Sequence, residues 1–494
     1  MTGTKVVFAQ RVIPEESELR RAALVEVVLQ YCTHLLFPDE NNIHNGEDVR
    51  QKKQKQQDKE HRESHCSHVI NGNVHCKVNG NGVKTDNLCV ERLSGGITNE
   101  LFRVYHPSYP LHSVVFRVFG KETDRVISRE SELFYQSIFI PTYVRGTNFL
   151  IYQFLNQYQA LPYTEMSVEY HAIACELASF QVRATLKSRS DHHRPLLTKE
   201  ERMYWDSVGP ALDAGGSNND SSTSLFDVCR FDRETNYTLH ALTKWVEMMM
   251  SDGIISKVSV EKRGEYESVA TQILQEAPWM CELLHRLKPS LGESVCHNDL
   301  LSANIMRHTE NGSLKIIDFD YVQRNYFLFD IANHFNEYTG LECDYARYFP
   351  SDKVMERFIA FYRQAMREEL RKHQSEAQRR ELKDIIPGQD GFFLCSSWTN
   401  GVEGKNTKKE EIQKNEYEGE TEEENQEDEE KEKEIIRHWV QLVKVLTLAS
   451  HLSWGIWALL QEAVSTLDMN FLEYAKSRLS RYLETRDAFS AEFV

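Results

Sequence analysis

Apolar residues recur at helical spacing in "ESELRRAALVEVVLQYCTHLL", residues 16–36, with Pro14 just ahead, and the pattern predicts an N-terminal amphipathic helix within a helical segment 1–37. From 38 to about 85 the periodicity stops. This polar run, "NNIHNGEDVRQKKQKQQDKEHRESHCSHVINGNVHCKVNGNG" at its heart, predicts an exposed, disordered insertion. Order returns at "LCVERLSGGITNELFRVYH", which has the form strand, glycine-containing turn, strand; "SVVFRVFG" (Ser113–Gly120) is a third strand. "RESELFYQSI" then predicts a helix and "NFLIYQFLNQY" (Asn148–Tyr158) another strand. Residues 86–157 thus predict a small antiparallel-sheet lobe. From 158 to 494 helical spacing dominates, interrupted by a flexible loop near 213–224 and a low-complexity acidic insert near 396–434, with helices resuming at Ile435. The predicted class is α+β, and no internal repeat is evident.

A chain of 494 residues suffices for one large two-lobed domain. Its net charge of −17 argues against nonspecific binding to nucleic acid or anionic membranes. The charge is uneven: Lys409–Glu434 holds 14 acidic and 4 basic residues, so this one stretch supplies −10. Ten cysteines without paired spacing predict reduced thiols in a cytoplasmic protein. The opening "MTGTKVVFAQRVIPEE" has no apolar core of a secretory signal, so the sequons at Asn219, Asn236 and Asn311 are expected to be chance matches. "VLTLASHLSWGIWALL" (Val445–Leu460) falls short of the roughly 20 residues of a membrane span and contains His451, which predicts a buried helix and no span. Cys66, His68, His75 and Cys76 fit no standard zinc-finger spacing.

The chemistry concentrates in "SVCHNDLLSANIMRHTENGSLKIIDFDY", Ser294–Tyr321. Asp299 and Asn304 stand five apart, and Asp318 follows Asn304 by fourteen. Asn311-Gly312 is a two-residue hairpin signal between "NIM" and "LKII". Folding that hairpin brings Asp318 back to the level of Asn304, with Asp299 close by. Two carboxylates and an amide at one mouth suit phosphoryl transfer, where the protein holds Mg²⁺ on nucleotide phosphates and orients a substrate hydroxyl. The catalytic loop of protein kinases uses the same Asp-to-Asn spacing, followed by a metal-binding Asp.

The sheet lobe adds a phosphate cradle candidate in "SGGITNELFRV", which contains Asn99, and a lone cation, Arg117, in "VVFRVFG". Glu130 or Glu132 on the following helix could hold Arg117, and the backbone of "IYQFL" (Ile151–Leu155) could meet an adenine.

Together these residues resemble the choline/ethanolamine kinase family, which has the protein-kinase-like two-lobed fold. "CHNDLLSANIM" is similar to that family's catalytic motif, "IIDFDYVQRNYFLFDIANHFNEY" to its second signature and "SHLSWGIWALLQ" to its C-terminal helix. The likeness covers most of Leu88–Tyr158 and Glu293–Phe349, then Trp439–Tyr482. It implies ATP and Mg²⁺ as cofactors, Asp299 as the base, and Asn304 and Asp318 as metal ligands. It places Arg117, Asn99 and Glu130 at the nucleotide, Gln153 at the hinge, and Asp330 behind the catalytic loop. The implied amino-alcohol pocket is Asp320, Tyr321, Glu337, Trp454, Trp457 and Tyr474; acidic and aromatic groups attract an ammonium. Two departures stand out: Asp320 where a longer glutamate is usual, and Met469 where an aromatic commonly completes the cage. A thinner cage favours ethanolamine, whose ammonium donates hydrogen bonds, over choline, which cannot. The resemblance also implies a homodimer. A protein kinase fits less well, since "DFD" replaces "DFG" and no "APE" segment follows. An aminoglycoside-type phosphotransferase would leave the Trp-rich helix unexplained, and an inactive scaffold would leave the complete catalytic set without a purpose.

Overall fold

The computed structural model describes residues 6–37, 87–93, 99–120, 127–190, 236–288, 290–372, 422–465, 467 and 469–494. The expected insertion at 38–85, the glycine turn at 94–98, the loop at 213–224 and most of the acidic insert lie outside them, as do Cys66, His68, His75 and Cys76. The described residues group into two compact units.

The first unit is a six-stranded sheet. Its strands are β1 (Val7–Ala9), β2 (Cys89–Leu93), β3 (Asn99–His106), β4 (Tyr109–Phe119), β5 (Thr142–Gly146) and β6 (Phe149–Gln153), ordered β1-β5-β6-β4-β3-β2. All neighbours are antiparallel except β1 and β5. Helix α1 (Ser17–Tyr31) buries Leu24, Val27 and Val28 against Val114, Phe116, Val118 and Ile151 of the sheet. Each such side chain stabilises the fold by about 1.5–3 kcal/mol. Strand alternation then puts Val115, Arg117 and Phe119 on the opposite face.

Several elements differ from the sequence reading. The N-terminal segment is not wholly helical, because Val7–Ala9 pairs with β5; three residues are too few for alternation to show. The first helix breaks at Cys32 and resumes over Thr33–Leu36. β5 was not foreseen, since the five residues of "TYVRG", one of them an arginine, are too few to show alternation. The strand expected over 148–158 ends at Gln153. The chain turns through Gln157 at φ 63° and continues as β7 (Tyr158–Ala160), which belongs to the second unit.

The second unit contains nearly all of α2 (Arg129–Phe139), then α3 (Tyr170–Ser190) and a helix over 237–249 with a π turn at Ala241–Trp245. It continues with α4 (Val260–Leu287), α5 (Phe329–Glu337), α6 (Asp352–Lys372), α7 (Glu422–Val464) and α8 (Phe471–Ser490). Between α4 and α5 run β8 (Glu293–Cys296), β9 (Ile305–His308), β10 (Leu314–Ile316) and β11 (Gln323–Tyr326), with β9 between β10 and β7, and β8 against β11.

Helix α7 corrects the extent of the acidic insert, for residues 422–434 are already helical. Glu432 accepts hydrogen bonds from Arg363 at 2.7 and 2.9 Å and from Arg367 at 2.6 Å. Burial opposes its charge, but the two arginines outweigh burial and hold the carboxyl at about 2. Further along, the same helix is apolar on all sides and long enough to cross a bilayer, yet 94% of its apolar window is buried within the protein. That is the signature of a core helix.

Candidate active site

β9 and β10 pair Arg307 with Leu314 and Ile305 with Ile316. The closing turn is therefore the four residues 309–312, not the two-residue Asn-Gly turn the sequence suggests. Only Gly312 takes a left-handed φ (70°), whereas a tight Asn-Gly turn needs two. The Thr309 N–H is drawn instead to the Gln157 carbonyl at 2.8 Å. The hairpin still returns the chain as expected: Ile317 N–H donates to Asn304 O at 2.9 Å, which sets Asp318 beside Asn304. Asn304 Nδ2 in turn donates to Asp299, at 2.9 Å to the backbone oxygen and 3.2 Å to Oδ2.

Two residues here adopt left-handed backbone without being glycine, Asn298 at φ 66° and Asp318 at φ 63°. Such conformations persist where neighbours over-determine them. For Asn298 the neighbours are explicit: its Nδ2 donates to Tyr321 O at 2.8 Å and its Oδ1 accepts from Asn325 Nδ2 at 2.8 Å.

Helix α5 holds the loop from behind. All nine of its residues are buried, though five are polar, and each polar group has work to do. Asp330 accepts from His297 N–H at 2.8 Å and Asn298 N–H at 2.7 Å, and also from Gln181 Nε2 at 2.8 Å. Burial pushes Asp330 up to about 6, against these hydrogen bonds that favour its carboxylate. His334 Nδ1 donates to Leu300 O at 2.9 Å, and Asn333 Nδ2 donates to Asn298 O at 3.3 Å. His297 and His334 are each pushed down to about 4 by burial, so both are neutral pins at pH 7. His297 Nε2 donates to Ile317 O at 2.9 Å, tying the loop to the chain just before Asp318.

Asp299 is half-buried and held well above the usual carboxylate range. Burial is the main cause, then the carboxylates of Asp318, Glu337 and Asp320; the Asn304 amide works the other way. Four acidic residues thus share one neighbourhood, a field that invites cations.

Three residues after Asp318, Tyr321 opens an aromatic cluster. Its hydroxyl accepts from Trp457 Nε1 at 2.7 Å, its ring lies 5.3 Å from Trp454, and the two tryptophans are themselves 5.3 Å apart. Trp454 Nε1 is buried without a hydrogen-bond partner among the described residues. Phe471, two residues beyond Met469, packs its ring 5.8 Å from Trp457, an aromatic contact the sequence did not disclose.

The two acidic pocket candidates already face arginines. Glu337 Oε1 accepts from Arg478 Nη1 at 3.0 Å, and Tyr474 Oη accepts from the same nitrogen at 3.2 Å. Asp320 lies 3.5 Å from Arg129, which also bonds Glu132 at 2.8 Å. Sequence reasoning missed both arginines. The helical spacings Tyr474 to Arg478 and Arg129 to Glu132 were the available signals.

In the first unit, Arg117 is 2% exposed and pairs across the sheet with Leu101 and Leu150. Asn99 opposes Phe119, so it shares the Arg117 face. Gln153 opposes Val114 and belongs by alternation to the other face, which leaves only its backbone for a ligand on the Arg117 side. A second buried arginine, Arg145, opposes Leu150 and so joins the Arg117 face. It donates to Phe149 O at 3.1 Å and lies 4.3 Å over Phe119. The Glu130 side chain lies outside the described residues.

Comparison with known proteins gives the family and the fold. Residues 90–483 match the family model for choline/ethanolamine kinase. The chain is 25% identical over 419 residues to a probable ethanolamine kinase A of Dictyostelium discoideum, covering 82% of this chain and 88% of the relative. It is 25% identical over 420 residues to human ethanolamine kinase 2, covering 83% and 78%. Among solved structures, a Plasmodium vivax ethanolamine kinase superposes with a TM-score of 0.51 at 19% identity, over 97% of this chain and 98% of that one. A choline kinase of Cryptosporidium parvum gives 0.51 at 18%, over 84% and 94%. The fold is the α+β, protein-kinase-like one, and the chain belongs to the choline/ethanolamine kinase family.

Proposed function

We propose that this protein transfers the γ-phosphoryl group of ATP to the hydroxyl of ethanolamine, giving phosphoethanolamine for phospholipid synthesis. One arrangement carries the reading. The Asp299, Asn304 and Asp318 group and the Tyr321, Trp454 and Trp457 cluster meet within one unit, joined by a three-residue step from Asp318 to Tyr321. The two ends of a short amino alcohol, hydroxyl and ammonium, then have separate partners. Kinases named for ethanolamine among the relatives support the same substrate.

Asp299 orients the substrate hydroxyl and takes its proton; its raised affinity for protons suits a base that must bind one as the new bond forms. Asn304 spends its amide N–H₂ on Asp299, which leaves its carbonyl oxygen for a cation, and the Ile317 N–H bond to Asn304 O brings Asp318 close in the chain. An oxygen-only pair of this kind fits Mg²⁺, whose remaining ligands come from phosphates and water. Among the described residues no three His, Cys, Asp or Glu side chains cluster to form an all-protein metal cage. When bound, Mg²⁺ neutralises phosphate oxygens and fixes their orientation. Within the first unit, Arg117 and Asn99, which share one face of the sheet, are the side chains proposed for nucleotide contact, with the backbone at Gln153. Glu337, steadied by Arg478, offers its second oxygen to the ammonium, and Asp320 and Tyr474 complete the polar boundary of the aromatic pocket.

The test is phosphate transfer from Mg-ATP to ethanolamine and to choline, offered singly and in competition, with Asp299→Ala as control. A kcat/KM ratio favouring ethanolamine by about tenfold, roughly 1.4 kcal/mol of transition-state discrimination, is expected. Near-equal ratios would make the enzyme dual in specificity, and transfer to neither substrate would sink the reading.

A further inference from the structure

Tyr237 carries a buried hydroxyl that finds no hydrogen-bond partner among the described residues, on a side chain only 1% exposed. A buried hydroxyl left unsatisfied is a destabilising feature that asks for an explanation, and a phenylalanine ring would fill the same space without it. The residue is also held firmly. It opens the helix over 237–249, whose first turn is capped by Asn236 Oδ1 accepting from Leu239 N–H at 3.1 Å. Asn236 Nδ2 donates to Glu293 at 2.9 Å, and Thr238 N–H to Asn325 Oδ1 at 3.4 Å. Around the ring stand Trp245 at 5.4 Å, Phe329 at 6.1 Å and Tyr321 at 6.3 Å, all edge-on.

The hydroxyl is not stranded in apolar core. Tyr237 lines a small cavity with Ser128, Ser131, Asp320, Tyr321 and Gln323. After burial, the Asp299 carboxylate is the group that pushes the phenol further up its scale, as it also does for the neighbouring Tyr321. Of the residues that line it, Ser128, Ser131, Asp320, Tyr321 and Gln323 carry side-chain oxygens able to accept a hydrogen bond. A primary ammonium brings three N–H donors to such a wall, whereas a trimethylammonium brings none.

We propose that Tyr237 is a substrate-binding residue whose hydroxyl accepts from the primary ammonium of the amino alcohol and so sets selectivity for primary over quaternary amines. This inference rests on the amino-alcohol kinase reading above. It goes further by naming a residue that the catalytic and signature motifs do not contain.

The experiment compares the full-length protein with Tyr237→Phe, measuring kcat and KM for ethanolamine and for choline, together with thermal melts. The variant keeps the ring and its packing. The ethanolamine kcat/KM is expected to fall about tenfold, mostly through KM, as for loss of one hydrogen bond to a charged group. Choline kinetics should stay within about twofold, and Tm should hold or rise. Equal losses on both substrates would reduce Tyr237 to a packing role and overturn the selectivity claim. Unchanged kinetics with a higher Tm would overturn it as well, leaving an idle hydroxyl. A wild-type protein inactive on both amino alcohols would fell the parent reading before the variant is compared.

Discussion

Arg478 Nη1 lies 3.0 Å from Glu337 Oε1, so the acidic residue at the proposed ammonium pocket is already half neutralised by a buried cation. The same guanidinium donates from Nη2 to Ser450 Oγ at 2.9 Å and to Ser450 O at 3.2 Å. One side chain therefore ties α5, α7 and α8 together behind the aromatic cluster. Removing one partner of a buried pair leaves the other charge stranded, at a cost of about 3–5 kcal/mol. Arg478→Met should lose about that much in denaturant unfolding, and adding Glu337→Gln to the same chain should recover part of it. Additive losses in the double variant would mean that the two residues act independently.

Asp299 gives a prediction in which stability and activity part company. The ordinary Asp value is 3.8, and in the fold burial and three neighbouring carboxylates raise it. The folded state thus keeps a proton that the unfolded chain has released, so stability falls as pH climbs from 3.8 through the raised value. Asp299→Asn removes that cost at pH 7. Its Tm should exceed that of the wild type, with the gap closing as pH approaches 4. Its kcat should drop by about 100-fold or more, as expected for loss of a general base. Melts across pH alongside turnover assays test both halves, and a lower Tm at pH 7 would contradict the electrostatic account.

The convergence of Asp299, Asn304 and Asp318 was legible in the sequence because its geometry is local. Asp299, Asn304 and Asp318 are fixed by one loop and one hairpin, and spacing alone encodes both. Even there the turn was misjudged, since the pull of Gln157 on Thr309 comes from the turn ahead of β7, far away in sequence. The tryptophan pair was readable from helical spacing. Arg478 and Glu337 meet across 141 residues, and no local pattern announces such a contact. Tyr237 follows a long polar stretch without periodicity, so nothing marked it as core. β1 and β5 were invisible for a different reason: three to five residues are too few to show alternation.

Asp330 should tolerate no isosteric replacement. Its two oxygens receive three donors, two of them backbone N–H groups of the loop that leads to Asp299. In Asp330→Asn an N–H₂ group must confront at least one of those donors, leaving it buried and unpaired at about 1–3 kcal/mol. Turnover should fall because the loop that carries Asp299 shifts, while KM for ATP changes little. Measured kcat and KM, with hydrogen exchange at His297 and Asn298, test this. Normal exchange protection with normal kcat would remove Asp330 from the positioning role.

The tryptophans should matter most to the substrate that cannot hydrogen-bond. A quaternary ammonium is held by aromatic faces, each contributing about 0.5–2 kcal/mol, and Trp provides the strongest face. A primary ammonium shares its attraction between such faces and the acceptors of Glu337, Tyr321 and Tyr237. Trp454→Leu keeps an apolar side chain in the helix and leaves the Trp457 bond to Tyr321 in place. KM for choline should therefore rise about tenfold and KM for ethanolamine about threefold or less. Equal increases would assign Trp454 to the core of α7. Tyr237→Phe should push selectivity the opposite way, so the ratio of the two KM values across the pair of variants separates aromatic from hydrogen-bonded recognition in one experiment.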